Sequence, residues 1–159
     1  MFRHLLVPTD GSDLSDGTIR RAVSFASEAG ARITFFHARE AELLQPETSL
    51  YGEPVLLDPA VREQFSQARN SWVEQLLASA RTIAEQAGVR CDSDSSDNPV
   101  IYEAIIEAAQ KHGCDLIFMA SHGRRGLASL LLGSETQRVL THTSLPVLVY
   151  RKPDTPPPA

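Results

Sequence analysis

The chain has 159 residues and a formal charge of −5, a length that suits one domain with a real core. The acidic balance, with no basic stripe, argues against a nucleic-acid track, and no apolar run is long enough to span a bilayer. The stretch Met1–Pro8 lacks the apolar segment and small-residue cleavage site of a signal peptide, so the expectation is a cytoplasmic protein with no membrane contact. Cys91 and Cys114 are far apart and form no CxxC pair; they read as buried small hydrophobes rather than a disulfide.

Strand and helix patterns alternate along the chain. Leu5-Leu6-Val7-Pro8 is a short apolar run ending in a turn, the pattern of a strand buried on both faces of a parallel sheet. Leu14 to Ala29 follows with Ile19, Ala22, Val23 and Ala26 at helical spacing and Gly30 as its stop. Ile33-Thr34-Phe35-Phe36 is a β-branched and aromatic second strand. Arg39 to Leu57 reads as a long loop punctuated by Pro46, Gly52 and Pro54. Asp58 and Pro59 then cap and open a long helix ended by Gly88, in which Val61, Phe65, Ala68, Trp72, Leu76, Ala80, Ile83 and Ala87 share one face, read as core packing.

Val89 to Ser93 is a weak third strand with the look of an edge. Asn98-Pro99 repeats the cap-plus-proline start, Val100, Ile101, Ala104, Ile105 and Ala108 give the next helix its apolar face, and Gly113 closes it. Leu116-Ile117-Phe118-Met119 is a fully apolar and therefore central strand. A loop, a short helix over Ser134–His142 and a final strand Val147-Leu148-Val149-Tyr150 complete the domain. The tail beyond it is proline-rich and expected to be disordered.

This alternation predicts an α/β domain over residues 1–151, a Rossmann-like five-stranded parallel sheet with helices on both faces, followed by a tail at 152–159. Ligands of such sheets bind beyond the carboxyl ends of the strands, where the strand order reverses. The segments that matter are then Pro8–Ser12, His37–Ala38 and Met119–Ser134. Neither the GxxxxGK[ST] loop nor a GxGxxG after the first strand is present. The first strand ends instead in Pro8-Thr9-Asp10-Gly11-Ser12. The fourth ends in Met119-Ala120-Ser121-His122-Gly123-Arg124-Arg125-Gly126, with Gly133-Ser134 after nine further residues from Gly123.

These pieces, in order, resemble the universal stress protein family of the ATP-binding type. That family carries G-x-x-G, nine residues, then G-[ST] after the fourth strand. Here Gly123, Gly133 and Ser134 match, and Ala120 stands at the first glycine position. The Pro8-Thr9-Asp10 and His37-Ala38 strand exits, the Asp115-Leu116-Ile117 approach and the Pro146–Val149 finish match as well. The resemblance implies a nucleotide ligand, ATP, with any Mg²⁺ or Mn²⁺ carried by the nucleotide, and slow or no hydrolysis. It implies that Asp10 approaches the nucleoside and that the backbone of Ala38 meets the adenine edge. The implied site comprises Pro8, Thr9, Asp10, Ala38, Met119, Ala120, His122, Gly123, Arg124, Gly133, Ser134, Glu135 and Thr136. A homodimer through Val147–Tyr150 and an unidentified protein partner are implied too. A nucleotide-free interaction module of the same family and a slow ATPase or phosphotransferase are the alternatives.

The chemistry of the segment can be read independently. Glycines let backbone N–H groups approach phosphate oxygens, a helix starting near Ser134 aims its free N–H groups at the same place, and Arg124 and Arg125 add charge able to bind bidentately. Each feature also has a plainer reading. Ser134-Glu135-Thr136-Gln137 fits a capping box, leaving Ser134 to cap its own helix. Asp10 can be a turn former with Gly11 and Ser12, and the arginines can be solvated. Ala120 is strained if its φ is positive and harmless if it is ordinary. Glu135 repels a nearby phosphate unless a cation bridges them or it points away. His122 has no evident group to orient it as an acid or base, and no His/Cys/Asp/Glu set has metal-site spacing.

Overall fold

The computed structural model describes residues 1–39, 58–121 and 132–152. Its elements are β1 (His4–Pro8), α1 (Asp13–Ala29), β2 (Arg32–Arg39), α2 (Pro59–Gln86), β3 (Cys91–Asp97), α3 (Ile101–Lys111), β4 (Leu116–Ala120), α4 (Ser134–His142) and β5 (Val147–Tyr150). The strands form one sheet in the order β3-β2-β1-β4-β5, and every pairing is parallel. The expected α/β architecture with five parallel strands is therefore the one observed. The expected loop at 40–57 and the tail from 153 lie outside the described residues.

The sheet buries both faces. Leu5, Val7, Ile33, Phe35, Leu116 and Phe118 pack against α1 and α2, while Leu6, Phe36, Ile117 and Met119 pack against α3 and α4. This period-2 division of continuous apolar strands between two helical layers is why β1 and β4 read as unbroken hydrophobic runs. Ser12 caps α1 by accepting from Ser15 N, and Gly30 ends it with φ 65°, a left-handed conformation that costs a Cβ-bearing residue about 1 kcal/mol or more. Asp58 caps α2 through Ala60 N, with Pro59 in the first turn.

Three expectations are corrected. The buried stripe of α2 is Val73, Leu77, Ala80 and Ala84, one residue out of phase with the predicted face except at Ala80. Val61 and Trp72 are 37% exposed and Phe65 60%, and Trp72 packs edge-on to His37 rather than into the core. The third strand is Cys91–Asp97 rather than 89–93; Val89 instead closes the end of α2, its N–H donating to Ala84 O. A strand this polar forms because it is an edge whose register with β2 runs from Ile33–Cys91 to Arg39–Asp97. Asn98 accepts from Val100 N in a turn just ahead of α3, so the helix cap itself is Val100, with no side-chain bond.

Both cysteines are free; burial pushes the Cys114 thiol up to about 12 and raises that of Cys91 as well. Asp115 joins the starts of β1 and β4. Its carboxylate accepts from Arg3 N at 2.9 Å and His4 N at 3.0 Å, and its own N–H donates to His4 O at 2.9 Å. Burial works against its charge, but the backbone donors of His4 and Arg3 outweigh burial and hold the carboxyl below its usual range.

Replacing Leu77 by Ala is expected to cost about 2–4 kcal/mol in urea unfolding, and Trp72→Ala about 1 kcal/mol or less; the reverse ranking would restore the predicted phase of α2. Asp115→Asn is expected to cost about 1 kcal/mol at neutral pH. A depressed carboxyl contributes stability above its unfolded value, near 3.9, and loses it as pH falls through the folded value. The gap between wild type and variant therefore closes in acid, and a gap constant down to pH ~2 would contradict the charge-based account.

Candidate functional site

The strand order reverses at β1, whose neighbours are β2 and β4. β1 pairs with β2 from His4 to Pro8 but with β4 only at Leu5–Leu116 and Leu6–Ile117. Pairing with β4 thus stops short of the carboxyl end of β1, at the reversal point where sheets of this kind take ligands.

The turn leaving β1 is built from its own side chains. Pro8 closes the strand, and Thr9 is buried, its N–H donating to Phe36 O at 2.8 Å and its hydroxyl bonded to that of Ser15. Asp10 Oδ1 accepts from Ser12 N at 2.9 Å, the turn contact that is the plainer of its two readings, and Gly11 takes φ 76°, which a side chain would resist. Asp10 remains partly exposed at the strand end.

β2 runs on to Arg39, so His37 and Ala38 are strand residues rather than a strand exit. Parallel strands bond alternate residues to alternate neighbours. Phe36 O accepts from Thr9 on the β1 side, and Arg39 O accepts from Asn98 on the β3 side. By that alternation the N–H and C=O of Ala38 point to the β1 side, beyond Pro8. His37 Nδ1 reaches Thr9 O at 2.8 Å.

At the end of β4, Met119 is buried and pairs with Val149, and Ala120 pairs with Tyr150. Among the described residues no non-glycine φ is positive, so Ala120 is an unstrained strand residue and its methyl carries no backbone penalty. Two bonds pin α4 to this point: Gly133 N donates to Ser121 O at 2.8 Å, and the buried Thr136 donates its hydroxyl to Ala120 O at 3.0 Å.

The capping box does not form. Gly133 is the cap residue, with no side-chain bond, and Ser134 is the first helical residue; Gln137 turns its amide to Leu132 O instead. The helical ladder opens with Gln137 N donating to Gly133 O at 3.0 Å. The N–H groups of Ser134, Glu135 and Thr136 therefore lead the helix without an intrahelical acceptor, as first-turn amides do, and Ser134 is exposed. Glu135 runs along its helix to Arg138, 3.2 Å away, the pointed-away arrangement that lessens its repulsion of an anion.

Pro8, Thr9, Asp10, Ala38, Met119, Ala120, Gly133, Ser134, Glu135 and Thr136 are thus placed at or beside the carboxyl ends of three adjacent strands. His122, Gly123 and Arg124 lie outside the described residues. Sequence reasoning gave no role to His37, Ser15 or Ser121, which hold the site together; nothing in their spacing marks them. Among the described residues no group of three His, Cys, Asp or Glu side chains is placed to hold a metal ion, and no helix is long and apolar enough to cross a membrane.

Comparison with known proteins finds relatives of the same fold. The chain is 30% identical to a universal stress protein of Methanocaldococcus jannaschii over 96% of this chain and 84% of that protein. Among solved structures it resembles another M. jannaschii protein with a TM-score of 0.73 at 23% identity, covering 98% of this chain and 99% of that one. It also resembles a universal stress protein in complex with cAMP (TM-score 0.66, 21% identity, 94% of this chain and 96% of that one). A third is one from Archaeoglobus fulgidus in complex with dAMP (TM-score 0.59, 16% identity, 94% and 97%). The model of the universal stress protein family matches residues 1–151, and with that match the chain belongs to this family.

Proposed function

We propose that the chain is an adenine-nucleotide-binding module of the cytoplasm, with ATP and its accompanying Mg²⁺ or Mn²⁺ as ligand and with slow or no hydrolysis. The observation that carries this reading is the pinning of α4 to the end of β4, which sets the leading amides of Ser134, Glu135 and Thr136 beside the reversal point of the sheet. Such amides, with the positive end of the helix dipole behind them, suit phosphate oxygens. Two family structures of the same fold hold adenine nucleotides.

In this reading Gly133 and Ser134, with His122, Gly123 and Arg124 from the preceding segment, serve the phosphates. Asp10 serves the nucleoside, and Ala38 N–H and C=O serve the base edge. Pro8, Thr9, Met119 and Ala120 form the walls. In this reading the chain is a sensing or signalling module that acts through a protein partner. β5 lies at one end of the strand order with all four residues partly exposed, and pairing with β5 of a second copy would satisfy that apolar edge in a homodimer.

Calorimetric titration of ligand-stripped protein with Mg·ATP tests the reading. Wild type is expected to bind with a Kd on the order of micromolar, about −8 kcal/mol, and Gly123→Val to lose binding. Ser134→Ala is expected to weaken binding roughly tenfold, the value of one hydrogen bond to a charged oxygen. Absence of binding by wild type would overturn the reading in favour of a nucleotide-free interaction module.

A further inference from the structure

The ladder between β1 and β2 ends one rung early. On β2 the even-numbered residues face β1: Arg32 N donates to Arg3 O at 3.0 Å, and Phe36 O accepts from Thr9 N at 2.8 Å. The odd-numbered residues face β3: Ile33 N donates to Arg90 O at 3.0 Å, and Arg39 O accepts from Asn98 N at 3.3 Å. The next rung toward β1 would join Ala38 N–H to Thr9 C=O. That rung is not made, and the Thr9 carbonyl is held by His37 Nδ1 at 2.8 Å. A carbonyl only accepts, so Nδ1 carries the proton, an arrangement open to both the neutral ring and the imidazolium.

The ring is held from its other side as well. Trp72 of α2 meets it with ring centroids 5.3 Å apart and planes at 77°, a geometry favoured between aromatic rings. The strand continues into Arg39, which donates to Asn70 of the same helix at 3.0 Å and pairs with Asp97 of β3 at 3.0 Å. The end of β2 is thus clamped to α2 and β3, while among the described residues Ala38 makes no backbone bond to the chain beyond Pro8.

We propose that His37 is a positioning residue of the nucleotide site: by drawing the Thr9 carbonyl toward Nδ1, its imidazole turns that oxygen out of line with Ala38 N–H and leaves Ala38 N–H and C=O directed at the edge of a bound base. The proposal rests on the nucleotide reading for its ligand, but the blocked rung is a property of the free protein. Trp72 keeps the ring in register with Thr9, so a tryptophan outside the core has a function in the site.

Three variants test it. His37→Phe keeps a ring against Trp72 and removes the donor. His37→Asn returns an N–H donor close to the position of Nδ1. His37→Gln carries its amide one bond further out, beyond Thr9 O, and substitutes for His37→Phe if that protein does not fold. In the free protein, amide exchange followed by NMR is expected to slow at Ala38 in His37→Phe and His37→Gln, because the released Thr9 carbonyl takes up the missing rung. His37→Asn is expected to exchange there as wild type does. For Mg·ATP, His37→Phe and His37→Gln are expected to weaken binding roughly tenfold without loss of thermal stability, and His37→Asn to recover most of it.

A residue with a merely structural role would lose stability and affinity together and show no new protection at Ala38. Unchanged Ala38 exchange, or unchanged affinity in His37→Phe while wild type binds, overturns the proposal. Failure of wild type to bind Mg·ATP overturns the nucleotide reading itself, and with it the use assigned to Ala38, even where the exchange results show the rung blocked.

Discussion

Everything in this domain is organised around β1, a five-residue strand paired on both sides. Leu5, Leu6 and Val7 are fully buried, so each contributes on the order of 1.5–3 kcal/mol of hydrophobic stabilisation relative to exposure. They alternate between the two helical layers and tie both cores to one strand. Because the chain adds β2 and β3 on one side and returns with β4 and β5 on the other, the helices that follow β1 and β4 leave from adjacent points in opposite layers. The Thr9–Ser12 turn follows β1, and the start of α4 is bonded to the end of the neighbouring β4. The candidate site is a consequence of the topology, and the side chains that finish it, Thr9, Ser15 and Thr136, bind backbone or one another.

The two edges of the sheet are treated differently. β3 is polar beyond Cys91, and Asp94 anchors it to the end of α3 by accepting from Lys111 at 2.7 Å and His112 at 2.8 Å. Burial opposes the Asp94 charge, but those two donors and Ser95 N hold its carboxyl below the usual range. A charged, anchored edge resists pairing with another chain. β5, by contrast, is Val-Leu-Val-Tyr, and this asymmetry is what favours β5 over β3 as a pairing edge.

Much of the fold was legible because its signals are local. Apolar runs gave β1, β4 and β5; Gly30, Asp58 and Pro59 marked helix ends by their backbone chemistry. β3 was misplaced because its residues carry no burial pattern of their own, and only the length of β2 dictates where it pairs. The phase of α2 was misread because Trp72, Leu76, Ile83 and Ala87 and the buried Val73, Leu77 and Ala84 make equally regular stripes; the choice between them belongs to packing on the sheet. Ser134 looked like a cap because Ser-x-x-Gln fits a box, and a one-residue shift that seats Gly133 as cap cannot be read from composition. The position proposed for the site followed from the alternation of strands and helices and the rule that parallel sheets take ligands beyond the carboxyl ends of their strands. The carbonyl held by His37 could not, since it depends on which neighbour each β2 residue faces.

The central claim is that the reversal point between β1 and β4, fronted by the first turn of α4, receives a nucleotide. A co-crystal structure with Mg·ATP tests it most directly. The account predicts phosphate oxygens within ~3 Å of α4's leading amides and the base edge on the backbone of Ala38. A nucleotide bound elsewhere on the chain, or phosphates held away from α4 with Ala38 paired to Thr9, would contradict it.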